Sequence, residues 1–84
     1  MKWFVYILKC TDDSLYTGIT NDPRKRFREH VSGKGGRYTR SHRPVKIVYL
    51  ERSSNRSKAL KREARIKRMR KQDKSSLIKE QTNF

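Results

Sequence analysis

The segment from Trp3 to Cys10 is apolar or aromatic at nearly every position. A short run of this composition predicts a strand that is covered on both of its faces. Four turn-forming residues follow it, and Leu15–Thr20 is a second run rich in β-branched residues. The two runs predict a β-hairpin. A strand covered on both faces needs other elements packed on each side of the sheet, so the hairpin must be flanked by helices.

A helix is predicted directly after the hairpin. Asn21 or Asp22 can cap its start, and Pro23 suits the first helical turn because its missing N–H would have no partner there. The apolar pattern continues to about Val31, and Gly33 is typical of a helix end.

The rest of the chain predicts one more strand and two more helices. In chain order these are a long basic loop over residues 33–44, a strand over residues 45–50, a helix that starts at Ser54 or Asn55 and continues to about Lys71, and a short helix over residues 75–81. The expected fold is α+β, an α/β sandwich with a three-stranded antiparallel sheet flanked by about three helices. We expect one domain over residues 1–84, with its core at about 2–80 and a flexible C-terminal tail.

The chain is strongly basic, with 23 Lys or Arg, 8 Asp or Glu and a formal net charge of +15. Such a chain repels itself, and binding to a polyanion relieves that repulsion. Nine basic residues lie within residues 24–46, and ten more lie within residues 52–71, where Glu63 is the one acid. Positive charge drawn from separate segments is typical of a nucleic-acid-binding surface, although basic helix faces are often only solvated.

Other function classes are disfavoured by what the chain lacks. No run approaches the roughly 18 to 20 apolar residues that span a bilayer. The chain enters its first strand directly after Lys2, without the apolar core of a signal peptide. One cysteine, Cys10, cannot form an internal disulfide or a cysteine zinc site. We therefore expect a cytoplasmic monomer with no membrane partner.

Tyr6 and Tyr16 lie on the two strands of the predicted hairpin. Side chains alternate between faces, so the rings share a face only if paired residue numbers sum to an even value, as around a five-residue loop. Gly18 would lie on the face of Tyr16, where a missing side chain lets a substrate approach the backbone closely. Either tyrosine could instead simply pack against the helices.

Arg26 and His30 are four residues apart on the first predicted helix, so they are neighbours on one side of it. Phe27 and Val31 form the adjacent apolar stripe, which places the pair at the edge of the buried face. An arginine there can donate two N–H groups to phosphate oxygens. His30 can serve either as a structural hydrogen-bonding group or as a direct catalytic residue.

Glu63 points inward on the basic helix, because at about 100° per residue it lies within roughly 60° of Ala59 and Ile66. An unpaired buried carboxylate is unfavourable, so Glu63 needs a partner. That partner is either Arg26 or another base, or a divalent metal whose remaining ligands are water and phosphate.

Taken together, these residues and their spacing resemble the GIY-YIG nuclease superfamily, in its small stand-alone bacterial form. The resemblance extends from residue 3 to about residue 79. The first family tripeptide is degenerate here and reads Phe4-Val5-Tyr6, and Thr17 replaces the isoleucine of the second.

The resemblance implies a phosphodiesterase that hydrolyses DNA, rather than RNA, with low sequence specificity and with Mg²⁺ or Mn²⁺ as its cofactor. It implies that Tyr6 and Tyr16 line the active site and that Tyr16 helps to activate the attacking water. A phenol with an ordinary pKa near 10 needs nearby positive charge or a metal-bound water for that task. By the same resemblance, Arg26 binds the phosphate, His30 supports these residues and Glu63 binds the metal.

The residues expected to contact nucleic acid are Gly18, Arg24, Lys34, Arg37, Tyr38, Arg40, Arg62 and Lys67, with Tyr38 stacking on a base. Larger family members carry separate DNA-recognition domains that this chain lacks, so a partner protein for targeting is a further expectation. The alternative function is that of a non-catalytic basic nucleic-acid-binding protein with the same fold.

Overall fold

The computed structural model describes residues 2–82. Within this range it contains the strands β1 (Trp3–Cys10), β2 (Leu15–Thr20) and β3 (Pro44–Ser53), and the helices α1 (Pro23–Val31), α2 (Arg37–Ser41), α3 (Arg56–Lys67) and α4 (Lys71–Thr82). The strands form one antiparallel sheet in the order β2-β1-β3. The predicted α+β fold with a three-stranded antiparallel sheet is confirmed.

β1 is the central strand and is covered on both faces, as its composition predicts. Val5 and Ile7 belong to the main core, which also contains Tyr49 of β3 and Ala59 and Ile66 of α3. The alternate side chain of Tyr6 points to the other face, where it hydrogen-bonds His30 of α1. The sheet therefore separates an apolar core from a polar cluster.

α1 begins and ends where its sequence signals predict. The carboxylate of Asp22 accepts a hydrogen bond from the backbone N–H of Lys25, and Pro23 occupies the first turn. After the helix, Gly33 has φ of 85°, a conformation that favours glycine, and its N–H bonds the His30 carbonyl. These signals place His30 in the last turn of a well-capped helix.

The predicted loop over residues 33–44 contains the short helix α2. This helix has no side-chain cap, and it is closed by a hydrogen bond from the Arg40 N–H to the Gly36 carbonyl. Gly36 has φ of 117°, which turns the chain into the helix. A single turn of helix is marginal alone, so contacts elsewhere in the fold stabilise α2.

The helix predicted to end at about Lys71 ends earlier, because α3 ends at Lys67 and Lys71 begins α4. Two bonds of the tighter i to i+3 type close the end of α3, from the N–H of Arg68 to the carbonyl of Arg65 and from that of Met69 to that of Ile66. Met69 packs against the core after this break. The bend between α3 and α4 thus brings the apolar side chain of Met69 onto the core.

α4 starts earlier than the predicted residue 75, and it includes Gln81, the last residue of the predicted helix. The side-chain amide of Gln81 bonds both the N–H and the carbonyl of Leu50, on edge strand β3, at 2.9 and 2.6 Å. The last two residues of the expected tail, 83 and 84, lie outside the described residues. Within residues 2–82, no helix is long and apolar enough to cross a membrane.

Thr17 is a polar residue in the apolar core. It pairs with Ile7 on β1 and is 3% exposed, and within the described chain its hydroxyl has no hydrogen-bond partner. An unpaired buried hydroxyl lowers stability because it has lost its bonds to water.

We predict that Thr17→Val, which keeps the shape and removes the hydroxyl, raises the free energy of unfolding by about 1 kcal/mol. Urea denaturation measures the difference. Thr20→Val is the matched control, because the Thr20 hydroxyl bonds the backbone N–H and carbonyl of Asp22 at 3.1 and 3.3 Å. The control should lower stability, and a loss in Thr17→Val would contradict the prediction.

Candidate active site

The strand register brings the two tyrosines to one face of the sheet. Tyr6 lies opposite Gly18 and Leu8 lies opposite Tyr16, so paired numbers sum to an even value, and five residues separate the last pair, Lys9 and Leu15. The ring centroids of Tyr6 and Tyr16 are 6.3 Å apart. The geometry meets the condition for a shared site.

Gly18 makes room for Tyr6 and not for a substrate. A Cβ atom at position 18 would lie 2.5 Å from the Tyr6 hydroxyl oxygen and 2.7 Å from its Cζ atom. Gly18 itself is buried. The prediction that Gly18 contacts nucleic acid is therefore wrong, because a neighbouring ring of the same sheet fills the space.

His30 is fully buried and connects the sheet to α2. Its Nε2 atom is 2.8 Å from the Tyr6 hydroxyl oxygen, and its Nδ1 atom is 2.7 Å from Oγ1 of Thr39. A Cβ atom at Gly35 would collide with the imidazole, so glycine is required there as well. Of the two roles open to His30, the structure shows the hydrogen-bonding one.

Burial, followed by the positive charge of Arg26, lowers the pKa of His30 to about 4. The imidazole is therefore neutral near pH 7 and has one donor and one acceptor nitrogen. The guanidinium of Arg26 acts on the Tyr6 hydroxyl and lowers its pKa against the effect of burial. An imidazole that accepts from Tyr6 at Nε2 donates to Thr39 from Nδ1, and the other tautomer reverses both roles. In either tautomer both ring nitrogens have a partner.

Tyr6 remains a neutral phenol. Burial raises its pKa to about 12, with smaller contributions from Tyr16 and the negative charge of Glu63, whereas Arg26 acts in the opposite direction. Tyr6 is only 3% exposed, and Tyr16 is half-buried. Of the two tyrosines, Tyr16 is the one that solvent can reach more easily.

Arg26 is held in a fixed orientation at the edge of this cluster. Its guanidinium donates to the Glu29 carboxylate and to the Gly35 carbonyl, both at 3.2 Å. The side chain is 34% exposed. A guanidinium has five N–H donors, so donors remain for a phosphate oxygen. The ion pair with Glu63 that was one expectation does not form, because Glu29 takes that place.

Glu63 points inward, and its side chain is 17% exposed. Its carboxylate lies 3.4 Å from Nζ of Lys67, which is thus the other base that the sequence left open. The negative charge of Glu63 contributes to the raised pKa of Tyr6, so the carboxylate is electrostatically coupled to the cluster.

The donor set at this site suits magnesium. No group of three or more His, Cys, Asp or Glu side chains that could hold a metal occurs among residues 2–82. A lone carboxylate, completed by water and phosphate oxygens, is the way Mg²⁺ commonly binds. Glu63 therefore fits a magnesium ion carried with a phosphate, and it does not fit an ion enclosed by protein ligands.

Tyr38 is part of the site and not a separate platform. Its ring stacks on Tyr16, with centroids 5.5 Å apart, and on His42, with centroids 4.2 Å apart. Tyr38 is still 38% exposed. The stacking partners that the structure shows are protein rings, so a base could contact Tyr38 only at its remaining exposed surface.

The predicted phosphate-contacting cations differ in how free they are. Within the described chain, four of them are exposed and have no ion pair, namely Arg24, Lys34, Arg37 and Arg40. Arg62 is different, because its Nε atom lies 3.1 Å from both carboxylate oxygens of Glu51, which also accepts a hydrogen bond from Tyr49. Arg62 is half-buried and its charge is neutralised by Glu51, which argues against the predicted contact with phosphate.

Three residues of the cluster were missed in the sequence. Glu29 follows Arg26 by three residues, a helical spacing that could have indicated the pair. Gly35 stands in a glycine-rich run that indicated only a loop. Thr39 gave no signal, because its bond to His30 depends on the position of α2.

We predict that the low pKa of His30 makes folding sensitive to acid. The unfolded chain binds a proton below pH 6.5, whereas the folded protein does so only near pH 4. The contribution is fully present above pH 6.5 and is lost as the pH falls toward 4, by up to about 3 kcal/mol. Urea denaturation between pH 7.5 and 4 measures the loss.

The imidazole NMR signals of His30 provide a direct second measurement. They should stay constant between pH 7.5 and 5.5. A His30 titration near pH 6.5 would contradict the prediction.

Known proteins are similar to this chain in sequence and in fold. The model of the GIY-YIG catalytic domain matches residues 2–76. The chain is 54% identical to a UPF0213 protein of Syntrophus aciditrophicus, over 94% of this chain and 92% of that protein. It is 52% identical to a UPF0213 protein of Cupriavidus necator, over 80% of this chain and 73% of that protein.

Two proteins with solution NMR structures are also similar. A UPF0213 protein of Bacillus halodurans is 37% identical, with a TM-score of 0.60 over 94% of this chain and 84% of that one. A protein of E. faecalis is 33% identical, with a TM-score of 0.64 over 100% of this chain and 91% of that one. The chain therefore belongs to the GIY-YIG family, a family of endonucleases, and has its nuclease-type α+β fold.

Proposed function

We propose that this protein is a metal-dependent phosphodiesterase that hydrolyses DNA with low sequence specificity. The proposal rests on one observation, that interactions of the other candidate residues converge on Tyr6. Its hydroxyl is hydrogen-bonded to His30, its ring is near Tyr16, and its pKa is influenced by the charges of Arg26 and Glu63. These five residues come from two strands and two helices, and their common link to Tyr6 supports a shared site.

The proposal assigns the attacking water to Tyr16. Tyr16 is the more exposed tyrosine, and its ring is held between the rings of Tyr38 and His30. With its own proton passed to solvent, the Tyr16 phenolate would orient the water and take its proton. Tyr6 stays protonated and fixes the geometry of the cluster through His30.

Arg26 is assigned to the scissile phosphate. Its guanidinium already donates to Glu29 and to Gly35, so it requires little reorganisation when a phosphate arrives. Its remaining N–H groups can donate to the oxygens on which charge develops during phosphoryl transfer.

Glu63 is assigned to the metal, with Mg²⁺ first and Mn²⁺ as the alternative, because carboxylate, water and phosphate oxygens suit both ions. When bound, the ion would neutralise charge on the phosphate and make a nearby water more acidic. Lys67 would leave the carboxylate as the ion binds, and as an exposed cation it could then contact the DNA backbone.

DNA binding would rest on the exposed cations. The exposed cations on α1, α2 and the loop between them form no intramolecular ion pair within the described chain. Contacts of this kind recognise phosphate and carry no sequence information, so a partner protein would supply targeting. A cytoplasmic monomer remains part of the proposal.

One observation favours the second candidate, a non-catalytic nucleic-acid-binding protein. The ammonium of Lys67 already pairs with the only carboxylate assigned to the metal. If the Lys67–Glu63 pair persists when DNA binds, the protein binds phosphate but binds no metal. The cleavage experiment below separates the two candidates.

We predict that Glu63→Gln abolishes magnesium-dependent cleavage of plasmid and branched DNA. It should change the free energy of unfolding by no more than about 1 kcal/mol, because the pair with exposed Lys67 contributes little. DNA binding should stay intact or become slightly tighter, since one negative charge is lost. Cleavage gels, urea denaturation and DNA-binding titrations measure the three effects.

Glu51→Gln is the matched control, with the same chemistry and the same change of charge. Glu51 pairs with Arg62 and Tyr49, so this variant should lose about 1–2 kcal/mol of stability and keep its cleavage. Absence of cleavage in the wild-type protein would favour the second candidate. A large loss of stability in Glu63→Gln would show that Glu63 is a structural residue.

We predict that affinity for a short duplex falls steeply as salt rises, because bound Lys and Arg release counterions from phosphate. Arg40→Ala should reduce the log–log slope by about 0.9, the value for one phosphate contact. Arg62→Ala should leave the slope unchanged, since Arg62 is committed to Glu51. A slope near zero for the wild-type protein would contradict nucleic-acid binding altogether.

A further inference from the structure

We infer that Asp12 and His42 are positioning residues for Tyr16. Together they clamp α2 to the β1–β2 turn, and this clamp keeps the ring of Tyr38 stacked on Tyr16. The inference rests on the proposed function, in which Tyr16 contacts the attacking water. Neither Asp12 nor His42 belongs to the set of residues assigned above to water, phosphate or metal.

The position of α2 matters because this helix supports both halves of the site. Its Tyr38 packs on Tyr16, and its Thr39 bonds the imidazole of His30. Yet α2 has only five residues and no side-chain cap. A helix of this length is not stable by itself, so something outside it must set its position.

The clamp consists of three connections at the C-terminal end of α2. The His42 Nδ1 atom is 2.5 Å from the Asp12 carboxylate. The backbone N–H of Thr11 donates to the Arg43 carbonyl at 2.8 Å, and that of His42 donates to the Tyr38 carbonyl at 2.8 Å. The β1–β2 turn is thereby attached to the segment that follows Tyr38.

The Asp12 side chain is fixed before it meets His42. Its Oδ1 atom accepts hydrogen bonds from the N–H of Ser14 at 3.1 Å and from its hydroxyl at 2.6 Å. These bonds, followed by the contact with His42, hold the pKa of the Asp12 carboxyl well below its usual range. Asp12 is therefore an ionised and oriented acceptor at neutral pH.

Ring stacking connects His42 to Tyr16 through Tyr38. His42 and Tyr38 are nearly parallel, at 18°, and their centroids are 4.2 Å apart. Tyr38 lies against one side of Tyr16, and His30 meets Tyr16 edge-on at 5.1 Å. The centroid distances from Tyr16, 5.5 Å to Tyr38 and 5.1 Å to His30, are those of favourable aromatic pairs. Release of Tyr38 would remove one of the rings that fix Tyr16.

The exposure of the pair argues for positioning over stability. The side chains of His42 and Asp12 are 36% and 48% exposed, and exposed ion pairs contribute little to folding. A displacement of about 1 Å at a catalytic group, in contrast, can lower a rate about 100-fold. The clamp should therefore affect turnover more than it affects stability.

The test compares four variants of the full chain. His42→Ala removes the ring and the bond, His42→Phe keeps the ring and loses the bond, and Asp12→Asn removes only the charge. The matched control is Asp13→Asn, which removes the same charge one residue away, from an exposed pair with Lys9. The readouts are kcat and KM for DNA cleavage, urea stability and the NMR shifts of the Tyr16 ring.

We expect His42→Ala to lower kcat at least 10-fold with KM changed less than about 2-fold, and to move the Tyr16 ring signals. His42→Phe should recover part of kcat, Asp12→Asn should lie between the two, and Asp13→Asn should match the wild type. Unchanged Tyr16 signals or unchanged kcat in a folded His42→Ala would overturn the inference. If the wild-type protein cleaves nothing, the proposed function fails first, and the NMR shifts still decide whether the clamp holds Tyr16.

Discussion

The hydrogen bond between the Tyr6 hydroxyl and the imidazole of His30 is the contact on which the rest of the site depends. It joins the central strand to α1 in a place that solvent does not reach. Two glycines on different segments, Gly18 and Gly35, leave room for the two rings. Because each glycine faces a ring of this pair, a side chain at either position would push the sheet and the helix apart. Thr39 bonds the other nitrogen of the imidazole, and the charge of Arg26 acts on the Tyr6 hydroxyl.

The few acids of this basic chain have distinct tasks. Glu51 neutralises Arg62 in a half-buried pair on the core side of the sheet, and Glu29 orients Arg26. Asp12 fixes His42 at the surface. Glu63 differs from them, because its partner Lys67 is an exposed side chain that can move away. The electrostatic design thus leaves one inward carboxylate available and many cations free, which is the arrangement that a phosphate with its metal would complete.

Much of the fold follows from local signals in the sequence. The apolar run of β1 requires coverage on both faces, and the capping residue Asp22 with Pro23 fixes where α1 starts. The helical spacing then puts Arg26 and His30 side by side. Tyr6 and Tyr16 share a face only if paired residue numbers sum to an even value, and the turn residues alone do not reveal which register forms. Burial of both faces selects it, since a shift by one residue would turn the core side chains outward.

By itself, the sequence determined the sheet, the first helix, the basic surface and the inward direction of Glu63. Each of these depends on periodicity, capping or charge, which act between residues close in the chain. Tertiary structure alone decided that Gly18 faces a ring, that Arg62 pairs with Glu51, and that residues 37–41 form a helix over the tyrosines. Those features depend on contacts between segments 11 to 30 residues apart, such as Arg62 with Glu51 and His42 with Asp12, whose energies exist only after the chain has folded.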